Sequence, residues 1–481
     1  MSTLRRCLLA TALSVCTVLP LAAQEIVYAR ALPTASFADL ARLDLPPQAP
    51  RVRAHKSLPP LRPGIARTTD YAPLPVPAAE ASIAPPPYQL AFTSGTSRQL
   101  SPADASGAVG RTHVVGAYNA GLVMHDRGGN IVGSATLRQF WATSQLVGDQ
   151  YDPRIAYDPQ NDRWIVMAVD REEALLFAVS ESGDPTGTWK RYEVTFGPFD
   201  YVDFTRIAVT RDTVVLATCI GTAEYNETSV LLSINKSDLY GTASPMPMRK
   251  HEFHGNPEVV PVQGETSPVE YVVTLDFPDI RVGRLDQPNT WRRVGGPSWI
   301  QHATFILPQL ATGAVLDAGF ARVEAAAFRN GSIYAVTTVG GDSGATHSGI
   351  AWARINPETL ASTWGLVHDP EGKIHYAYPS IAVNANGAML IGFGTFSHLQ
   401  YPSAAYVYGD VLGRTSTPVT IRSGDSAVVI TDRWGDYTTT VTDPLEPGTF
   451  WTVQICSNQN TWGTVWAKVE QPLGRRRSVR H

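Results

Sequence analysis

Cysteine is scarce in this chain of 481 residues, which contains only four. Cys7 and Cys16 lie in the apolar run at the N-terminus, so only Cys219 and Cys456 remain for the rest of the chain. These two are far apart, and no C-x-x-C pair is present, which argues against a cysteine zinc site or a disulfide framework. We expect both side chains to be buried as small apolar groups.

An excess of one charge and long apolar runs are also missing. Charged residues make up 17% of the chain and the net charge is only −4, a balance that argues against an electrostatic nucleic-acid binder. No run beyond the N-terminus is long and apolar enough to form a membrane-spanning helix. The motifs of a Walker loop, a zinc-protease helix and a serine-hydrolase elbow are absent as well, so those three enzyme classes are not indicated.

The two ends of the chain differ in composition from its middle. Arg5 and Arg6 precede the apolar run 7–19 and a small-residue site at Ala22-Ala23, so residues 1–23 are predicted to be a signal peptide and the protein to be secreted or periplasmic. Residues 24–87 are rich in proline and are predicted to be a disordered arm, with a short helical segment around residues 37–43. The basic residues 472–481 are predicted to be a solvated tail.

Residues 152–194 have the pattern of a complete four-stranded unit. Four runs of alternating or continuous apolar residues, 152–157, 164–169, 175–179 and 189–194, are separated by polar turns rich in Asp, Pro and Gly. Short strands joined in this way are typical of one blade of a β-propeller. Because the pattern recurs through residues 88–471, we predict an all-β chain that forms a single propeller.

The number of blades follows from the spacing of the repeats. Their average spacing of about fifty residues is close to that of propeller repeats. The predicted inner strands begin near His113, Arg154, Arg206, Tyr271, Arg322, Pro379 and Tyr437. This series predicts seven blades, with six or eight left open because the pattern is poor over residues 220–270.

The last repeat lacks one strand. Residues 437–442, 449–456 and 462–470 give three strands before the basic tail, whereas residues 88–93 form an isolated strand-like run before the first repeat. An open sheet edge is unfavourable because its backbone groups have no partners. We therefore predict that the N-terminal run completes the last blade and closes the ring.

One turn resembles a known motif. The residues from Ser182 to Trp189, Ser-Gly-Asp-Pro-Thr-Gly-Thr-Trp, resemble the Asp box of sialidase-type propellers, with Thr186 where that family usually has Gly. In that family the box is a structural turn between the third and fourth strands of a blade. The phrases 158–164 and 433–437 also resemble those of secreted bacterial propeller proteins. No Phe-Arg-Ile-Pro phrase is present, so the resemblance implies the fold and not the sialidase activity.

Polar residues recur where the predicted inner strands begin. In a propeller these positions gather on one face, around the central channel. The candidate ligand-binding residues on this face are Asp152, Arg154, Asp203, Arg206, His375, Tyr378, Arg433, Asp436 and Tyr437. The guanidinium of arginine can donate two parallel hydrogen bonds to a carboxylate, and aromatic rings can pack against sugar rings.

Three interpretations of these residues stay open at this point. They could satisfy buried backbone groups, bind a carbohydrate or another anion, or hold a structural calcium ion through the Asp carboxylates. No other cofactor is indicated. We expect an exported propeller that recognises an extracellular or periplasmic ligand, with carbohydrate ahead of protein. The alternatives are a carbohydrate-active hydrolase or lyase that uses the same face, whose catalytic residues stay undefined, and a non-catalytic scaffold.

Overall fold

The structure is a computed structural model of the chain. It describes residues 25–46, 51–52, 82–143, 149–170, 173–197, 201–221, 227–256, 258–276, 279–297, 306–310, 313–319, 322–342, 345–429 and 432–471. The predicted signal peptide and basic tail lie outside these residues. In the described part of the chain, no helix is long and apolar enough to cross a membrane.

The fold is almost entirely β-strand. The segment before the first repeat holds β1 (Glu25–Ser36), α1 (Phe37–Ala41), β2 (Arg51–Val52), β3 (Tyr88–Ser97) and β4 (Leu100–Ser101). Sheets 1 to 3 then comprise β5 (Ser106–Val109), β6 (His113–Tyr118), β7 (Gly121–Asp126), β8 (Ile131–Ala135), α2 (Leu137–Trp141), β9 (Gln150–Asp158), β10 (Arg163–Asp170), β11 (Ala174–Ser180), β12 (Thr188–Thr195), β13 (Tyr201–Val209), β14 (Thr213–Gly221), β15 (Thr228–Asn235), α3 (Lys236–Tyr240) and β16 (Met246–His254).

The second half continues the same arrangement. Sheets 4 and 5, with one hairpin between them, comprise β17 (Val260–Pro261), β18 (Tyr271–Asp276), β19 (Asp279–Arg284), β20 (Gln287–Val294), β21 (Ile306–Leu307), β22 (Leu316–Asp317), β23 (Ala325–Arg329), β24 (Ser332–Gly340), β25 (Ser348–Ile355) and β26 (Ser362–Val367). Sheets 6 and 7 comprise β27 (His375–Val383), β28 (Met389–Ser397), β29 (Gln400–Gly409), β30 (Val419–Arg422), β31 (Thr439–Thr442), β32 (Thr449–Asn458) and β33 (Thr461–Glu470).

These strands form a β-propeller, as predicted. The described residues form seven four-stranded antiparallel groups. In six of them the strands follow chain order from the inner strand outward, and in the seventh β3 lies outside β31, β32 and β33. The seven-bladed count for the whole ring stays a prediction. Two of the predicted inner strands were wrong, because His113 begins the second strand of sheet 1 and Tyr271 the second strand of sheet 4. The true inner strands there, β5 and β17, are short and carry little hydrophobic pattern.

The predicted closure of the ring is confirmed. Strand β3 pairs antiparallel with β33, with Phe92 opposite Trp466 and Thr93 opposite Val465, and so supplies the fourth strand of sheet 7. Phe92 also packs against the ring of Trp451 at 6.4 Å. The first and last parts of the chain therefore share one sheet, whose outer edge is covered by the N-terminal strand.

The prediction of a disordered arm over residues 24–87 is wrong for its first part. Strand β1 pairs with the outer strand β12 of sheet 2 and with the outer strand β16 of sheet 3, joining both into one nine-stranded sheet. The short helix α1 follows, with the Ser36 side chain accepting the Asp39 N–H at its start. Leu32, Phe37 and Leu40 are buried against α2 and sheets 1 and 2, so apolar burial holds this segment in place.

Candidate functional site

We call the face of the propeller where the inner strands begin the entry face, and the opposite face, where they end, the exit face. Residues with positive φ angles recur on the entry face. Positive φ angles of 46–58° occur at Asp104, Asp152, Phe204 and Tyr378, which lie in sheets 1, 2, 3 and 6. Such angles are uncommon for residues other than glycine. The residue two positions after each of these four lines a cavity in the central channel. These residues are Ser106, Arg154, Arg206 and Ser380.

A chain of buried hydrogen bonds connects the entry loops. Asn119 Nδ2 donates to Asp104 Oδ2 at 2.6 Å, and the Asp436 N–H donates to Asp104 Oδ1 at 2.8 Å. Asn119 Oδ1 accepts the Asp152 N–H at 2.8 Å, and Asp152 Oδ2 accepts the Phe204 N–H at 3.1 Å. These bonds link sheets 7, 1, 2 and 3 to one another. The carboxylates of Asp104 and Asp152 therefore act as structural acceptors, and Asp436 joins the same network through its backbone N–H. This arrangement fits the first of the three interpretations left open by the sequence.

Three more of the predicted ligand residues have structural partners. The Tyr437 hydroxyl donates to the Pro153 carbonyl at 3.0 Å, and the Tyr378 hydroxyl donates to the Asp317 carbonyl. Burial raises the pKa of both phenols well above the usual value, which keeps them neutral at physiological pH. Arg433 pairs with Asp436, and the attraction of that carboxylate raises the pKa of the guanidinium.

Arg154 differs from this group. Its Nε donates to the Thr205 carbonyl at 2.9 Å, and its guanidinium carbon lies 3.2 Å from the centroid of the Tyr437 ring. Burial lowers the pKa of Arg154 to about 10, so the group stays charged at neutral pH. Among the described residues, no further hydrogen bond from this guanidinium is formed. The side chain lines the cavity, which leaves its outer nitrogens to face the cavity as donors.

Two further arginines stand beside Arg154. Arg206 and Arg322 each place the guanidinium carbon 4.2 Å from the centroid of the Phe204 ring, so the ring stabilises both cations. Arg206 Nη2 pairs with Glu258 Oε2 at 2.6 Å, while its buried Nε has no hydrogen-bond partner. Arg322 Nη2 donates to the Asp436 carbonyl at 2.6 Å. The entry end of the cavity is therefore electropositive.

One buried carboxyl group completes this end of the cavity. Glu324 is only 9% exposed and accepts a hydrogen bond from the Thr338 hydroxyl at 2.8 Å. Burial raises the pKa of Glu324 to about 8, although the charge of Arg322 opposes the rise. The carboxyl is therefore mostly protonated at neutral pH and can donate a proton. Neither Glu324 nor Glu258 is among the residues predicted from the sequence. The one signal for Glu324 is a lone carboxyl before the apolar run Ala325–Ala327.

The cavity occupies the central channel. Its volume is about 400 Å³, and its wall comes from the inner strands β5, β9, β13, β17, β23, β27 and β31. The wall is mostly small and apolar, with Ala156, Ala327 and Val383 among the lining residues. Hydroxyl-bearing residues such as Thr439 and Thr440 line sheet 7. A volume in this range, with few polar groups at one end, is typical of small-molecule sites.

Asp203 and His375 also lie outside the cavity wall. Asp203 accepts the N–H of its neighbour Phe204 at 2.9 Å. His375 lies between sheets 5 and 6, where the Ser348 N–H donates to its Nδ1 at 3.3 Å and the His347 ring is 6.4 Å away. Burial, followed by the nearby His347, lowers the pKa of His375 to about 4. Of the nine predicted residues, Arg154 and Arg206 line the cavity and the other seven do not. The role of these residues in ligand binding stays a prediction.

The described residues contain no arrangement of side chains that would support metal binding. No group of three or more His, Cys, Asp or Glu side chains is placed there to hold an ion. The calcium alternative stays a prediction from the sequence. Cys219 and Cys456 are both buried and unpaired, as expected.

Comparison with known proteins gives structural likeness only. No protein-family model matches the sequence, and no curated protein matches it. Among solved structures, Chaetomium thermophilum Raptor has a TM-score of 0.47 at 9% identity, over 81% of this chain and 29% of that one. This chain thus spans less than a third of the length of Raptor. The endo-arabinase from Bacteroides thetaiotaomicron has a TM-score of 0.34 at 11% identity, over 67% of this chain and 94% of that one. A Hadza microbial sialidase, Hz136, has a TM-score of 0.36 at 11% identity, over 74% of this chain and 73% of that one.

Proposed function

We propose that this protein is an exported propeller that recognises a small acidic carbohydrate in its central channel. The observation that carries the proposal is the Arg154 guanidinium, which is half-buried, charged and held in place, yet turns its outer nitrogens to a cavity of about 400 Å³. A carboxylate or sulfate group would form charge-assisted hydrogen bonds with these nitrogens.

The surroundings of Arg154 support an anionic ligand. The unpartnered Nε of Arg206 lies at the same end of the cavity, and Arg322 adds a third cation. Glu258 and Asp436 balance part of this charge, but Glu324 is mostly neutral at physiological pH. Because much of the cavity wall is apolar protein, the remaining positive charge acts on a ligand more strongly than it would in bulk water. Hydroxyl-bearing wall residues suit the hydroxyl groups of a sugar.

Calorimetry on the full chain tests this proposal. The probes are galacturonic acid oligomers, with neutral galactose oligomers of the same length for comparison. Replacing Arg154 by Met removes a charged hydrogen-bond donor, whose loss is worth about 1.5–3 kcal/mol, or about 10- to 100-fold in affinity. The matched control is Arg211→Met, because Arg211 is an exposed arginine paired with its neighbour Asp212.

The outcomes are distinct. We expect acidic oligomers to bind the wild-type chain and the Arg211 variant equally, and the Arg154 variant at least tenfold more weakly. Binding by a folded Arg154 variant at wild-type strength would contradict the proposal. So would a wild-type chain that binds none of the acidic probes.

Glu324 favours a second candidate function, a carbohydrate-active enzyme that uses the same channel. A buried carboxyl with a pKa of about 8 is suited to act as a general acid near neutral pH. Release of shorter products from the same galacturonic acid oligomers would support this role, provided that Glu324→Gln abolishes release and retains binding. Binding without turnover would favour recognition alone. The scaffold alternative stays a prediction.

A further inference from the structure

The cavity extends from the entry end to the exit face. In β5, β23, β27 and β31 the lining continues to the last residue of the strand, whereas in β13 it comprises only Arg206 and Ile207. At the exit face the lining includes Arg329, the last residue of β23, and four residues in turns that follow inner strands, Pro159, Glu265, Ala385 and Pro447. These turns are all part of the described chain, so the structure defines this mouth of the channel.

The entry end is built differently. The described entry-loop residues Asp104, Asp152, Tyr378 and Asp436 form buried hydrogen bonds across neighbouring sheets and do not line the cavity. Tyr437 is 1% exposed and lies against Arg154 at this end. In sheets 7, 1, 2 and 3 the described residues thus separate the arginines from the entry face.

We propose that ligands enter the channel from the exit face, opposite to the face that carries the entry loops. The group that reaches Arg154 is then the leading end of the ligand. A polysaccharide could place only a chain end there, because the hydrogen-bonded entry-loop residues lie beyond Arg154 and leave no route for the interior of a chain to continue. The ligand class is therefore a free sugar acid or the acidic end of a chain. This assignment of the ligand rests on the proposed function; the route of access does not.

The exit mouth has the properties of a fixed opening. Pro159, Pro444 and Pro447 stand on its rim, and each proline has a restricted φ and no backbone N–H to satisfy. Arg329 Nη2 pairs with Glu265 Oε1 at 2.5 Å, which ties the rim of sheet 5 to that of sheet 4. A rigid rim of this kind keeps the mouth open without a movement of the chain.

Thiol accessibility tests the route independently of any ligand. Thr439→Cys places a thiol on the cavity wall, while the two described native cysteines, Cys219 and Cys456, are buried. The rate of its reaction with a small anionic reagent, sulfonatoethyl methanethiosulfonate, is followed by mass spectrometry. Two single substitutions are then added separately to this variant, Ala385→Trp at the exit mouth and Asp432→Trp at an exposed position on the entry face. The labelling rate of the wild-type protein gives the background from the native cysteines.

We expect Ala385→Trp to slow the labelling of the Thr439→Cys parent at least tenfold, and the addition of Pro447→Trp to slow it further. Asp432→Trp should leave the labelling rate within twofold of the parent rate. Slowing by Asp432→Trp and not by the exit substitutions would overturn the proposal, as would a thiol that does not react in the parent Thr439→Cys protein. Circular dichroism melts confirm that each variant is folded.

The ligand is tested separately with galacturonic acid oligomers. Oligomers whose terminal residues are methyl esters should bind at least tenfold more weakly than oligomers esterified only at internal residues. Equal binding of the two would reject recognition of chain ends even if the accessibility result stands. Failure of every acidic oligomer to bind would reject the proposed function and leave the access route to be judged by the thiol rates alone.

Discussion

Replacing Glu324 by Gln should make stability less dependent on pH. The pKa of this carboxyl rises from 4.5 to about 8 on folding, because the folded chain removes the group from water. A carboxyl with a raised pKa holds its proton more tightly in the folded state. Stability is therefore lost as pH rises from about 4.5 to about 8, and the loss is complete above that range. The shift corresponds to a penalty of about 4–5 kcal/mol at pH 9, as an upper limit.

Gln keeps an acceptor for the Thr338 hydroxyl and carries no charge at any pH. Urea unfolding of wild type and Glu324→Gln at pH 5 and pH 9 measures the difference. We expect the variant to match wild type at pH 5 and to exceed it by a few kcal/mol at pH 9. The control is Glu181→Gln, because Glu181 is exposed. A variant that is less stable than wild type at both pH values would refute the reasoning, since it would show that the ionised carboxylate is favourable in this site.

Three further predictions concern the frame around the channel. A chain that starts at Pro87 lacks β1 and α1, with the buried Phe37, so it should melt at a lower temperature than the full chain; equal melting temperatures would contradict this. Asp184→Ala removes an exposed acceptor of one backbone N–H in the Asp-box-like turn and should cost about 0.5–1.5 kcal/mol in thermal unfolding, with ligand affinity unchanged. Arg206→Met leaves Glu258 without its cation and should cost about 3–5 kcal/mol in urea unfolding, with a smaller loss in the double variant that also carries Glu258→Gln.

The propeller could be predicted because its strands carry their own signal. In sheet 2 every strand is apolar and closely followed by a polar turn, so the repeat is visible in the residues themselves. Where an inner strand is short, as in Ser106–Val109 or Val260–Pro261, small residues suffice because the strand packs among neighbouring sheets. Such strands have no pattern that separates them from loops.

The ordered N-terminal segment was missed for a related reason. Strand β1 contains Pro33 and leaves Ile26 and Tyr28 exposed, so its own pattern is weak. Its stability comes from partners in sheets 2 and 3, which are more than 150 residues further along the chain. Local propensity cannot report a strand whose hydrogen-bond partners are so distant.

The candidate site was predicted in part. The entry loops do bring Asp, Arg and Tyr residues together. Residue type alone, however, does not distinguish a side chain that is hydrogen-bonded within the protein from one whose donors face the cavity. Asp152 and Arg154 are two residues apart, and only the backbone turn at Asp152 sends one into the loop network and the other to the cavity. Glu324 is buried at the cavity only when sheet 5 is assembled into the ring, so its sequence neighbours do not indicate a role.

The pairing of β3 with β33 sets a condition on the order of folding. Residues 88–97 are made well before their partner strand, Thr461–Glu470. Strand β1 must likewise wait until β16, which ends at His254, has been made. During synthesis both N-terminal strands are therefore without partners, and their edges are open to other chains. The edge of β3 can pair only after the ten-residue strand Thr461–Glu470 has been made.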